Sequence, residues 1–177
     1  MKKYFFKMAL TGIPVIFFMC ALVALSSCTK NKNNRTDLIK MNGLLYKSGS
    51  NVPYTGREKA VLKGRIIEYD VVNGVKQGEM KISYLEGKPQ ISGQMVNNKN
   101  EGHWKYFYEN SQVESEGDFK NDMPQGLWVW YFQDGKVREK GEYVSGKRDG
   151  KWLTYEENGK ISVVKKFKDG ELIKNKN

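Results

Sequence analysis

Residues 126–149 read GLWVWYFQDGKVREKGEYVSGKRD, and this stretch decides the fold. An aromatic, β-prone run over residues 126–132 is followed by a turn signal at 133–136 and by a second run over about 137–144. Because Asp-Gly favours a tight hairpin turn, the stretch predicts one β-hairpin. Residues 145–149 predict the return turn that leads into the next unit.

The same design recurs with a period of 24 residues. Glycines that we expect to open each unit stand at Gly78, Gly102, Gly126 and Gly150. Two residues further on, the corresponding positions hold Met80, Trp104, Trp128 and Trp152. A period of this length indicates a repeat architecture, in which each unit buries its apolar face only by stacking on its neighbours.

The pattern predicts an all-β fold, an open and twisted antiparallel ribbon of β-hairpins that forms one repeat domain over residues 44–177. No stretch after residue 40 has the three-to-four spacing of a helix. We expect five units, of which the first, starting at Gly56, is short and irregular and the last is truncated after Leu172. Ser111 stands where the other turns have glycine, which predicts a strained or different turn there.

The N-terminal residues 1–27 have the order of an export signal. Lys2, Lys3 and Lys7 precede an apolar run over residues 8–25. The run ends in Leu25-Ser26-Ser27-Cys28, which resembles the lipobox of bacterial lipoproteins. This resemblance implies that Cys28 is acylated and becomes the new N-terminus, with residues 28–43 as a flexible tether. The alternatives are an ordinary signal peptide, or an uncleaved anchor, with an incidental cysteine.

The predicted location is the cell envelope. Thr29 is not the aspartate that retains lipoproteins at the inner membrane, and no acidic residue follows Cys28 closely. By resemblance to bacterial lipoproteins, the first feature favours the outer membrane and the second favours a protein that faces the periplasm. We expect Cys20 to leave with the signal peptide and Cys28 to carry lipid, which would leave no thiol for a disulfide, a nucleophile or a metal site.

The repeats resemble MORN repeats (membrane occupation and recognition nexus), in particular the bacterial variant labelled YwqK-family antitoxin. A Gly-x-Trp opening and a Tyr-x-x-Gly-x-x-x-Gly return carry the resemblance, most clearly in residues 141–150, and it covers about residues 44–172. It implies a hairpin ribbon, no enzymatic residues, and members that bind proteins or lipids. The antitoxin label implies a cytoplasmic toxin partner, whereas the leader directs this chain out of the cytoplasm.

Aromatic columns are the candidate binding site. We expect the tryptophans that follow the repeated glycines to be core residues. Strand alternation places Trp128 and Trp130 on one face and Val129 and Tyr131 on the other. Both faces are then aromatic, so one is either covered by a second layer or exposed for binding. Tyr106, Trp130 and Tyr131 form the candidate binding surface, with a core role as the alternative.

The sequence predicts neither an enzyme nor a cofactor or metal site. His103 is the single histidine, and no acid or nucleophile column repeats around it. Export argues against nucleic acid, despite a net charge of +10. The predicted function is therefore a membrane-anchored, non-catalytic binding or scaffold module for an unidentified envelope protein. The alternatives are an antitoxin that neutralises a toxin by direct binding, and an enzyme on cell wall or lipid, which a His103-dependent activity would indicate.

Overall fold

The computed structural model describes residues 36–174, so the signal peptide, Cys28 and the first part of the tether lie outside the described residues. The described chain consists of strands and turns. The strands are β1 (Leu38–Met41), β2 (Leu44–Lys47), β3 (Gly56–Leu62), β4 (Arg65–Val72), β5 (Val75–Tyr84), β6 (Pro89–Val96), β7 (Lys99–Phe107), β8 (Val113–Lys120), β9 (Met123–Tyr131), β10 (Val137–Val144), β11 (Lys147–Tyr155), β12 (Ile161–Lys168) and β13 (Glu171–Leu172).

Strands β3 to β13 form one antiparallel sheet of 11 strands in sequence order, and β1 and β2 form a separate two-stranded sheet. The large sheet is open, with β3 and β13 at its edges, which confirms the predicted all-β sheet of consecutive hairpins. Strand β1 lies inside the predicted tether of residues 28–43. The lysine- and asparagine-rich composition gives no sign of this strand, although Asn42-Gly43 forms a turn that pairs Met41 with Leu44.

Two kinds of turn alternate along the sheet. The turns between hairpins contain two residues with positive φ, such as Asn97 at 51° and Asn98 at 66°, which is the type I′ pattern. The predicted return turn of residues 145–149 is one of these, and it is shorter than expected because β11 already begins at Lys147.

The turns within the hairpins from β5–β6 to β11–β12 are three-residue loops. In residues 133–135 the Gly135 N–H donates to the Phe132 carbonyl at 2.9 Å, and the Phe132 N–H donates to the Lys136 carbonyl at 2.8 Å. Only Gly135 has a positive φ, so the expected two-residue Asp-Gly turn is instead a type I turn followed by a bulge residue. The first hairpin uses a two-residue turn at Lys63-Gly64, which accounts in part for its shorter length.

Ser111 adopts the conformation of the glycines that it replaces. Its φ is 67°, and its N–H donates to the Tyr108 carbonyl at 2.9 Å, as in the other loops. A non-glycine residue in this region costs about 1–2 kcal/mol. Of the two expectations for this turn, the strained residue is therefore the one observed, in an unchanged turn type.

The repeated glycines do not open the strands but lie inside them, at bulges. Val129 pairs with Glu116 and Gln125 pairs with Asp118, so residues 126–128 of β9 stand opposite Gly117 alone. Gly126 reaches a φ of 68° there. A bulge bends the strand and redirects a side chain, and here it turns the following tryptophan back onto the preceding strand.

Each of the three redirected tryptophans covers a glycine of the preceding strand. A Cβ on the covered glycine would overlap the indole ring; the pairs are Gly93 with Trp104, Gly117 with Trp128, and Gly141 with Trp152. Each indole N–H donates to the carbonyl that follows the glycine, at 3.1 Å (Gln94), 3.0 Å (Asp118) and 3.2 Å (Glu142). The three side chains are only 4%, 5% and 2% exposed, which confirms the prediction that they are core residues.

We expect Gly141→Ala to destabilise the protein by about 3 kcal/mol or more, because the added methyl displaces Trp152 and breaks its hydrogen bond. Gly150→Ala is the matched control, since a Cβ at this bulge glycine meets open space. It should cost only the backbone strain, about 1–2 kcal/mol. Urea unfolding followed by circular dichroism measures both, and equal losses would contradict the steric role of Gly141.

Candidate functional site

One face of the large sheet carries the aromatic side chains. We name it the aromatic face and define it by Trp104, Tyr106, Phe119, Trp128, Trp130, Tyr143, Trp152 and Phe167. Trp128 and Trp130 have ring centroids 5.8 Å apart, so they share a face as strand alternation predicts. The opposite side, the polar face, carries charged residues such as Glu116 and Lys105, which pair across β7 and β8.

Trp130 and Tyr106 fill the spaces between the buried tryptophans. The centroid of Trp130 lies 5.8 Å from Trp128 and 5.5 Å from Trp152. Tyr106 lies 6.3 Å from Trp128, and burial raises its pKa to about 12. Both residues remain partly exposed. They therefore pack against the core and also remain partly accessible to solvent.

Tyr131 lies on the polar face, away from the other two candidate residues. Its hydroxyl donates to Glu116 Oε1 at 2.6 Å. The predicted surface of Tyr106, Trp130 and Tyr131 is therefore wrong as a single surface. The reason is the two-residue alternation of a strand, which sends Trp130 and Tyr131 to opposite sides of β9.

No other described element covers the aromatic face. Within residues 36–174, each strand of the large sheet has its extensive contacts with its sheet neighbours, and none packs across the face as a second layer. The aromatic side chains instead shield one another, mostly edge-to-face, as Tyr143 does with Trp152 at a centroid distance of 5.2 Å. In this part of the chain no second layer covers the aromatic face, although five of its eight defining side chains are buried by their neighbours within the sheet.

The polar face holds a cluster around His103 that the sequence did not reveal. His103 Nδ1 lies 2.9 Å from Asp118 Oδ1, and Nε2 lies 3.1 Å from Glu116 Oε2. Glu116 also accepts from Tyr131 and lies 3.4 Å from Lys105 Nζ. The available signal was the register, since His103 and Asp118 face each other across β7 and β8.

The contacts in this cluster stabilise the charged forms of His103 and Glu116, and they do not activate a reactive group. Partial burial opposes protonation of His103, but hydrogen bonds to Glu116 and Asp118 outweigh it and raise its pKa above 6.5. The hydrogen bond from Tyr131 lowers the pKa of Glu116, against partial burial. Burial and the bond to Glu116 raise the pKa of Tyr131 to about 12, so this hydroxyl stays protonated.

Across residues 36–174, no group of three or more His, Cys, Asp or Glu side chains is arranged to hold a metal ion. The same part of the chain contains no helix of sufficient length and hydropathy to span a membrane.

The raised pKa of His103 predicts a pH-dependent contribution to stability. A folded-state pKa above the unfolded value stabilises the fold below about pH 6.5, and this contribution is lost as the pH rises through the folded pKa. We expect His103→Asn to lower the free energy of unfolding more at about pH 5.5 than at about pH 8.5. The loss should stay below about 1 kcal/mol, because the side chains of His103 and Asp118 are 50% and 58% exposed. Titration of His103 by NMR is the second measurement, and Glu116→Gln should lower the observed pKa.

Comparisons with known proteins identify the repeat. A family model described as "MORN repeat variant" matches residues 100–121, 124–145 and 148–169, which cover most of β7–β8, β9–β10 and β11–β12. The search among curated proteins gives no match. Among solved structures, a TarM mutant from S. aureus in complex with fondaparinux, alpha-GlcNAc-glycerol and UDP is similar at 16% identity, over 59% of this chain, with a TM-score of 0.22. This chain covers 20% of that protein's length.

Neither the antitoxin hypothesis nor the lipidation of Cys28 is tested by these matches, and both stay predictions. The matched repeat is typically non-catalytic and generally serves as a binding or scaffold module.

Proposed function

The chain carries MORN variant repeats, and on that premise we propose that it is a lipid-anchored binding module whose aromatic face docks another protein of the cell envelope. The observation that carries the proposal is the uncovered aromatic face. Its partly exposed rings leave apolar surface that no other described element covers, and such surface is typical of interaction sites. Trp130 and Tyr106 present partly exposed rings on this face, and aromatic side chains of this kind dominate the energetics of protein interfaces.

The regular spacing of the face favours an extended partner surface over a small ligand. Neighbouring strands lie about 4.8 Å apart, so equivalent side chains of successive hairpins recur about every 10 Å. Tyr106 on β7 and Trp130 on β9 occupy equivalent positions on consecutive hairpins. A partner that crosses several strands can contact both, and no deep pocket is required for that mode of binding.

The proposed anchor is Cys28, outside the described residues. A leader with lysines, an apolar run and a lipobox-like Leu25-Ser26-Ser27-Cys28 supports it. Several acyl chains would hold the protein stably on a membrane, as a single chain would not. The proposed location is the outer membrane, with the repeats facing the periplasm.

Docking on the aromatic face can be tested by photo-crosslinking in producing cells. A benzoylphenylalanine at Thr154 lies on the aromatic face, because Thr154 is two residues from Trp152 on β11. The same group at Leu153 lies on the polar face and is the matched control. We expect a specific protein adduct from position 154 and none from position 153. Adducts of equal yield from both positions, or from neither, would count against the aromatic face.

The anchor can be tested by metabolic labelling with palmitate and membrane fractionation. We expect label and membrane association in the native chain, and loss of both in Cys28→Ala. Cys20→Ala is the matched control and should keep the label, because Cys20 lies within the predicted signal peptide. An unlabelled, soluble native protein would overturn the lipoprotein part of the proposal.

A further inference from the structure

Strand β12 presents an open edge along most of its length. Strand β13 pairs only with Phe167 and Lys168, and the Ile173 N–H donates to the Lys166 carbonyl at 2.8 Å. Within the described residues, no strand pairs with this edge upstream of Lys166. Residues two apart in a strand direct their backbone groups to the same side, so Val164 offers its N–H and C=O to this open edge.

Two lysines stand directly opposite each other beside this edge. Lys151 of β11 pairs in register with Lys166 of β12. Since the Lys166 carbonyl points away from β11, the two form a non-hydrogen-bonded pair, the kind in which side chains lie closer together. Like charges directly opposite each other destabilise a sheet. Neither lysine has an acidic partner within 4.0 Å among the described residues.

The inner hairpins do not have this conflict at the equivalent positions. The pairs there are Glu79 with Gln94, His103 with Asp118, and Leu127 with Glu142. His103 and Asp118 are in hydrogen-bond contact at 2.9 Å. The uncompensated pair of lysines is thus a property of the terminal hairpin rather than of the repeat.

Apolar side chains accompany the lysines at this edge. Val164 is 57% exposed, and Leu172 and Ile173 are 48% and 41% exposed. Together they form a shallow groove lined by Lys151, Val164, Lys165, Lys166, Leu172 and Ile173. The edge therefore combines open backbone groups, apolar contact area and unpaired positive charge.

We propose that the β12 edge docks an extended acidic segment of another protein by strand addition. The main-chain groups of Val164 would pair with the incoming strand, whose carboxylates would lie beside Lys166, with Lys151 one strand further from them. This second surface goes beyond the proposed function, because it does not involve the aromatic face. Lysines on an edge strand also oppose pairing between copies of the same chain, so the charge that rejects a second β12 edge selects an acidic strand.

A second copy of the chain is a poor occupant on charge grounds. Two β12 edges would bring their lysines together, since residues 160–168 hold Lys160, Lys165, Lys166 and Lys168 and no acid. The opposite edge of the sheet, β3, contains Arg57 and Lys59 beside the single acid Glu58. The chain continues past Ile173 with Lys174, which adds to the positive charge.

The probe for this proposal is a fluorescein-labelled eight-residue peptide of alternating valine and glutamate, titrated with the full chain in detergent and followed by fluorescence anisotropy. A valine–lysine peptide tests the charge, and a glycine–glutamate peptide tests strand propensity. We expect binding of the first peptide only, weakening as salt is added. Failure of the valine–glutamate peptide to bind, or equal binding of all three, overturns the proposal.

Two pairs of variants separate charge from strand addition. Lys151→Gln with Lys166→Gln should weaken binding at least tenfold, whereas the control Lys88→Gln with Lys120→Gln removes the same charge from exposed sites elsewhere and should not.

Val164→Pro removes the open N–H and should also weaken binding at least tenfold, whereas Val164→Ala keeps the N–H and should bind far better than the proline variant. Circular dichroism confirms folding. Native affinity in either test variant overturns the corresponding half of the proposal, and neither result bears on crosslinking at the aromatic face.

Discussion

The structure depends on the contact in which a tryptophan covers a glycine of the preceding strand. In a single-layer sheet, a large side chain is normally half exposed, because no second layer faces it. Here the missing Cβ lets the indole lie flat against the backbone, and its N–H pairs with a carbonyl beside the glycine. Trp152 is thereby 2% exposed without a second sheet. The bulges at Gly102, Gly126 and Gly150 direct the indoles to these positions.

This contact also explains how much of the fold the sequence predicts. The 24-residue period, the β-hairpins and the buried tryptophans follow from residue types at fixed spacings. The bulges do not, because a glycine in a turn and a glycine in a bulge look alike in the sequence. For the same reason Gly126 was expected to open its unit but lies inside β9. Asp-Gly likewise predicts a two-residue turn after Phe132, whereas the structure has the three-residue loop 133–135, because the same dipeptide suits both turn types.

The candidate site was predicted in part only. Trp130 and Tyr106 are on the aromatic face, and the side of β9 on which Trp130 lies follows from simple alternation. Tyr131 was grouped with them by residue type, although alternation already assigned it to the other face. The His103 cluster depends on cross-strand register, which no single strand encodes. Register becomes known only when the bulges are known, so Asp118 and Glu116 could not be assigned to His103 in advance.

The covering of glycine by tryptophan has a direction, with a consequence for how the ribbon is assembled and extended. Every covered glycine belongs to one hairpin, and the indole that covers it arrives with the next. A nascent chain that emerges N-terminus first therefore completes each hairpin only when its successor follows. The position held by Gly93, Gly117 and Gly141 is occupied by Tyr69 in the preceding repeat and by Lys165 in the following one. A tryptophan-bearing hairpin inserted between these limits would have a glycine to cover, whereas the tryptophan of a hairpin joined after β12 would meet Lys165.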